Sequence, residues 1–139
     1  TDEDRAAFEA KADALAAQYS AYEPIEGNFV NGRNSLGENI GDVGGLAMAY
    51  HAYQLSLNGK EAPVIDGLTG DQRFFLAWAQ VWKEKRTEQS MLSQLRAGTH
   101  APGQFRALAP RNHDAWYKAF DVQPGDALYL APEERVRIW

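Results

Sequence analysis

Apolar positions recur along the chain in three helical stripes. Phe8, Ala12, Leu15 and Tyr19 follow one another at spacings of four, three and four, which lines them on one helix face. Thr1 with Asp4 forms the pattern of a capping box ahead of them. Val43, Leu46, Tyr50, Tyr53 and Leu57 make a second stripe and predict a helix from about Ser35 to about Leu57. In "DQRFFLAWAQVWKEKRTEQS", Phe74, Phe75, Trp78, Val81 and Trp82 form a wide apolar face, solvated from Lys83 onward.

The segments between the stripes are rich in turn residues. "SAYEPIEGNFVNGRN" and "NGKEAPVIDGLTG" carry the Pro and Gly of loops. "RAGTHAPGQFR" reads as a loop turning into a short helix, and "NHDAWYKAF" as a short helix with Asn112 at its N-cap. The tail "GDALYLAPEERVRIW" predicts a short strand before Pro132. No repeat, low-complexity segment or linker divides the chain, so the expectation is one mainly α unit.

Composition narrows the function classes. A chain of 139 residues with 45% hydrophobic positions can bury a core. Its net charge of −5 argues against a sequence-independent hold on nucleic acid. No apolar run is long enough to predict a membrane span, and "TDEDRAAFEA" has no signal-peptide pattern. Cysteine is absent, which removes disulfides, thiol catalysis and thiolate metal sites.

The second helix contains an anomaly. Gly41, Gly44 and Gly45 interrupt "SLGENIGDVGGLAMAY", and each costs a helix interior about 1 kcal/mol relative to alanine. Glu38 and Asp42 stand one turn apart, where like charges repel. Such a carboxylate pair can accept a cation, and glycines admit a closely packed helix. The alternative is local: Ser35 and Glu38 spell S-x-x-E, a capping box that would occupy Glu38 with a backbone N–H. Both readings stay open on spacing alone.

Other candidates lie in "THAPGQFR". His100 can donate a proton or stabilise an oxyanion, and Arg106 can clamp a carboxylate; the alternative is an ordinary surface loop. His51 reads as partly buried and His113 as exposed, and the aromatics of the third helix read as core. No P-loop, dinucleotide fingerprint or G-x-S-x-G occurs.

Taken together, "NGRNSLGENIGDVGGLAMAYHAY", "GLTGDQRFFLAWAQVWKEKRTEQ", "HAPGQFR" and the closing "APEERVRIW" with Trp139 resemble the C-terminal part of the neprilysin and endothelin-converting-enzyme family of zinc metallopeptidases. The resemblance implies the C-terminal helical part of a thermolysin-like catalytic domain. It implies that Glu38 is the third protein ligand of one catalytic zinc. Asp42 would orient a histidine ligand, His100 would stabilise the oxyanion, and Arg106 would bind substrate. The glycines would face the helix that bears the other zinc ligands.

The family's H-E-x-x-H is absent from the chain, so residues 1–139 are expected to be a single fragment whose partner is the upstream part bearing that motif. The isolated fragment is expected to be inactive. Two further departures are Gly98, where the family usually has an acid, and Ala101, where it commonly has a serine; losing the acid removes one group that could keep His100 protonated. The lack of cysteine suggests a bacterial member, periplasmic or secreted by family resemblance. The parent would be an endopeptidase acting on peptide substrates. Its rivals are a non-catalytic helical binding module and a hydrolase using Glu38 and Asp42 directly; one helical turn sets those two too close to flank a substrate well.

Overall fold

A computed structural model describes residues 1–138; Trp139, with which the resemblance of the closing segment ends, lies outside the described residues. Six α-helices follow one another among them: α1 (Asp2–Ser20), α2 (Leu36–Ser56), α3 (Gly70–Val81), α4 (Glu88–Ala97), α5 (Gly103–Arg106) and α6 (Asp114–Phe120). Short 3-10 turns at Ala109–Asn112 and Pro132–Glu134 complete the set. The mainly α expectation holds.

The capping box of Thr1 and Asp4 forms as the sequence predicts. The α1 stripe is buried only from Ala12 onward, through Leu15 and Tyr19; Phe8 and the first turns stand in solvent. Val43 and Leu46 of α2 meet them, and Phe75, Ala109, Val136 and Ile138 close one hydrophobic core. Helix α2 also packs on the 3-10 turn before α6, while α3 packs against α6.

Three local expectations change. The third helix stops at Val81, and "EQSMLSQLRA" is a separate helix whose N-cap Thr87 accepts from the Ser90 N–H at 3.2 Å. Four successive charged residues, Lys83 to Arg86, bridge the two. Asn112 does not cap α6: its Oδ1 accepts from the Val136 N–H at 2.7 Å, and His113 takes the N-cap position. The tail forms no strand among the described residues, because its polar backbone finds side chains instead. The Leu130 N–H donates to the Tyr117 hydroxyl at 3.1 Å, and Arg135 donates to the Leu130 carbonyl.

Candidate functional site

Helix α2 enters through a run of turns rather than from an extended residue. Ser35 has φ −91° and ψ 3°, and its own N–H is already bonded to the Asn31 carbonyl at 3.0 Å. An N-cap needs extended geometry to aim its oxygen at the first turn, so no Ser35–Glu38 capping box forms. The Ser35 hydroxyl instead donates to the Asn31 carbonyl and accepts from Asn39 at 3.0 Å. Glu38 is therefore free of backbone duty.

The two acids of α2 meet different surroundings. The Glu38 side chain is 47% exposed and its Oε2 lies 3.1 Å from Nε2 of His100, itself 48% exposed. Asp42 is 7% exposed and grips Arg106, 15% exposed, through both oxygens. Nε and Nη2 of Arg106 each donate to one Asp42 oxygen at 2.7 Å. This bidentate bond raises the Arg106 pKa above its ordinary value, so the guanidinium stays charged throughout.

The loop that brings His100 and Arg106 to α2 is held by side chains. Asn34 donates to the Gly98 carbonyl at 2.8 Å, and Gln94 donates to the His100 carbonyl at 3.2 Å. The Thr99 hydroxyl lies 3.2 Å from His100 Nδ1. A Cβ on Gly98 would lie 2.6 Å from the Gln94 carbonyl oxygen, so this turn has no room for a side chain there. Glycine is equally required at Gly103, where a Cβ would lie 2.8 Å from the Trp82 carbonyl oxygen. The Gly103 N–H donates to Glu84 at 3.1 Å, tying the start of α5 to the segment after α3.

Four predicted residues are thus brought together in pairs, Glu38 with His100 and Asp42 with Arg106, along one turn of α2. The apolar face of the third helix is core only in part: Phe75 is buried, Phe74, Trp78 and Trp82 are half-buried, and Val81, at the end of the helix, is exposed. What the sequence missed is the part played by the two tryptophans. The Trp78 indole N–H donates to the Arg106 carbonyl at 3.1 Å, and the Trp82 ring lies 3.8 Å from the Arg106 Cζ. Helical spacing marks both as apolar, and nothing in the spacing shows what the ring faces touch.

His51 and His113 exchange the environments expected of them. His51 is exposed. His113 is half-buried, with Nε2 sealed from solvent and without a partner among the described residues. Burial pushes its pKa down, against a backbone hydrogen bond with Val43.

Two carboxylates, a histidine and a half-buried arginine are thus gathered on one helical scaffold. No three His, Asp or Glu side chains converge on a metal position among the described residues. The profile of Peptidase family M13 matches residues 1–136, and the chain belongs to that family.

Solved structures and curated relatives agree. The chain superposes on zinc metalloprotease Zmp1 of Mycobacterium tuberculosis, crystallised with an inhibitor, with a TM-score of 0.97. Identity is 51%, over 100% of this chain and 22% of that one. It is 39% identical to endothelin-converting enzyme 1 of Homo sapiens, over 96% of this chain and 17% of the relative. With the neutral endopeptidase of Lactococcus lactis it shares 34% identity over 99% of this chain and 20% of the relative. The chain therefore spans about a fifth of the length of these relatives.

Proposed function

We propose that the chain is the part of a zinc-dependent metalloendopeptidase that supplies Glu38 as a protein ligand of the zinc. The supporting observation is the convergence of Glu38 and His100, at 3.1 Å, beside the buried Asp42–Arg106 pair. The donor chemistry fits a borderline cation: Glu38 is a half-exposed carboxylate, free of backbone bonds. The remaining ligands belong to the upstream part of the peptidase that carries H-E-x-x-H. When bound, zinc polarises the scissile carbonyl and activates a water.

His100 donates a hydrogen bond to the oxyanion that develops on the carbonyl oxygen. Arg106 holds substrate through Nη1, the nitrogen that makes no hydrogen bond to another described residue. Asp42 orients a histidine ligand from the upstream part; each of its oxygens accepts one bond from Arg106 and retains a lone pair for an imidazole N–H. With both oxygens engaged by Arg106, Asp42 is poorly placed to attack or deprotonate a substrate directly. The bacterial relatives support a bacterial origin, and export to the periplasm or medium follows the resemblance. No helix of the described residues is long and apolar enough to cross a membrane.

The test compares the larger peptidase with this segment alone. Glu38→Gln in the larger protein should strip most of its zinc, and the segment alone should show no peptidase activity. Chelator-sensitive peptide cleavage by residues 1–139 alone, or full zinc content in the variant, would overturn the reading.

A further inference from the structure

We propose that Trp82 is a positioning residue for Arg106, its indole face fixing the guanidinium so that Nη1 stays available to substrate. The inference rests on the substrate-binding role proposed above for Arg106. The Asp42 fork secures the guanidinium along one edge, through Nε and Nη2. An edge alone leaves the plane free to tilt about it. A ring face 3.8 Å from Cζ removes that tilt, and it lies well inside the roughly 6 Å reach of a cation–π contact.

A second observation comes from the indole nitrogen. Trp82 Nε1 is sealed from solvent and has no hydrogen-bond partner among the described residues. A buried, unsatisfied donor is unfavourable, and phenylalanine or leucine would fill an apolar site without one. Hydrogen bonding among the described residues therefore gives no reason for tryptophan here. Its π face does, because tryptophan attracts a cation more strongly than the other aromatic residues.

The ring is itself immobilised. Trp78 packs edge-on against it, with centroids 5.4 Å apart and planes at 68°. The close approach of the Trp82 carbonyl to Gly103, and the Gly103 bond to Glu84, lock the backbone after α3 onto α5. Trp78 then holds the Arg106 carbonyl from the same helix. The arginine is thus gripped at its backbone, at one edge and on one face.

Steady-state kinetics on the larger peptidase test this. Trp82→Leu should raise KM by roughly 2- to 30-fold, the range of a cation–π contact, and leave kcat within about twofold. Trp82→Phe should fall between. In an Arg106→Met background, Trp82→Leu should add nothing further. KM effects that multiply in the double variant, or a loss carried by kcat, would overturn the proposal. Incorporating 5-fluoro- and then 5,7-difluorotryptophan at position 82 drains the π face while nearly preserving ring shape, which answers a leucine variant that fails to fold. KM should climb through that series, and a flat series would overturn the proposal.

If the wild-type peptidase cleaves no peptide, the functional reading has failed, and hydrogen exchange at Arg106 Nε–H in the same fluorinated series still decides the platform. Faster exchange with fluorination supports it; unchanged exchange overturns it.

Discussion

Replacing Asp42 by Asn removes the charge that holds Arg106 and leaves the shape of the site nearly intact. At 7% and 15% side-chain exposure the pair is mostly withdrawn from water, so salt screens it less than a surface pair. Breaking a buried pair by deleting one partner costs roughly 3–5 kcal/mol, because the other charge stays buried and unpaired. The Trp82 face, 3.8 Å away, still stabilises the guanidinium. The expected loss therefore sits at the low end, about 3 kcal/mol, a large share of the roughly 5–15 kcal/mol of a typical domain. Arg106→Met should cost a similar amount by stranding the carboxylate. The double variant Asp42→Asn/Arg106→Met should recover most of either loss, since no unpaired charge remains. Urea unfolding followed by tryptophan fluorescence measures all three, with the slope m confirming that the folded and unfolded states are unchanged. A loss below about 1 kcal/mol for Asp42→Asn, the range of a surface pair, would refute the reasoning. So would single losses that simply add in the double variant.

His113 should make the chain less stable in mild acid. Its folded pKa is depressed by burial, with Arg137 nearby lowering it further and Asp114 opposing, so the folded state resists protonation that the unfolded state accepts. Stability is full above the unfolded value near 6.5 and falls as pH drops towards the folded pKa; thermal melts between about pH 7.5 and 5 should show that limb flattened in His113→Gln, and parallel profiles would exclude His113 as its source. Among glycines, Gly32→Ala should destabilise the chain by roughly 1–3 kcal/mol, because its Cβ would meet the Ala16 carbonyl and lie 2.9 Å from the Ser20 nitrogen. Gly41→Ala meets nothing within 4 Å and should stabilise the segment alone by about 1 kcal/mol; on the proposed reading the same change in the larger peptidase lowers stability or zinc content, and a gain in both contexts would refute that packing role.

The helices were legible because burial follows period. Val43, Leu46 and Phe75, taken from a 3.6-residue stripe, all lie in the core. What escaped depends on backbone geometry or on partners distant in sequence. Ser35 carries the right side chain for a cap, yet the turn before it gives the wrong dihedrals. The terminal strand had apolar character but no neighbouring strand, so the Tyr117 hydroxyl took its place. Phe8 fits the α1 stripe, but the described residues do not cover that end of the helix. For the site, spacing aligned Glu38 and Asp42, the Pro/Gly loop marked His100 and Arg106 as candidates, and the resemblance added a specific role for each. None of these revealed that Asp42 and Arg106 form one unit across 64 positions of sequence, or that Trp82 completes it.

The same helix explains why its apparent penalties are tolerated. Asp42, Val43 and Leu46 face inward, where burial and an ion pair hold α2 against the rest of the chain. The repulsion expected between Glu38 and Asp42 is offset by the Arg106 guanidinium on Asp42, while Glu38 meets the His100 ring at 3.1 Å on the solvent side. That leaves the glycines. Gly37, Gly41 and Gly45 recur every four residues, and a Cβ on any of them would stand in open space. Nothing within the described residues needs them bare, so their cost of about 1 kcal/mol each is not recovered in this fold. A face that is locally unfavourable and sterically unused becomes intelligible when another helix approaches it to backbone distance. In the proposed peptidase that helix is the one bearing H-E-x-x-H, and Glu38, one position from Gly37, would then meet the remaining zinc ligands at the same seam.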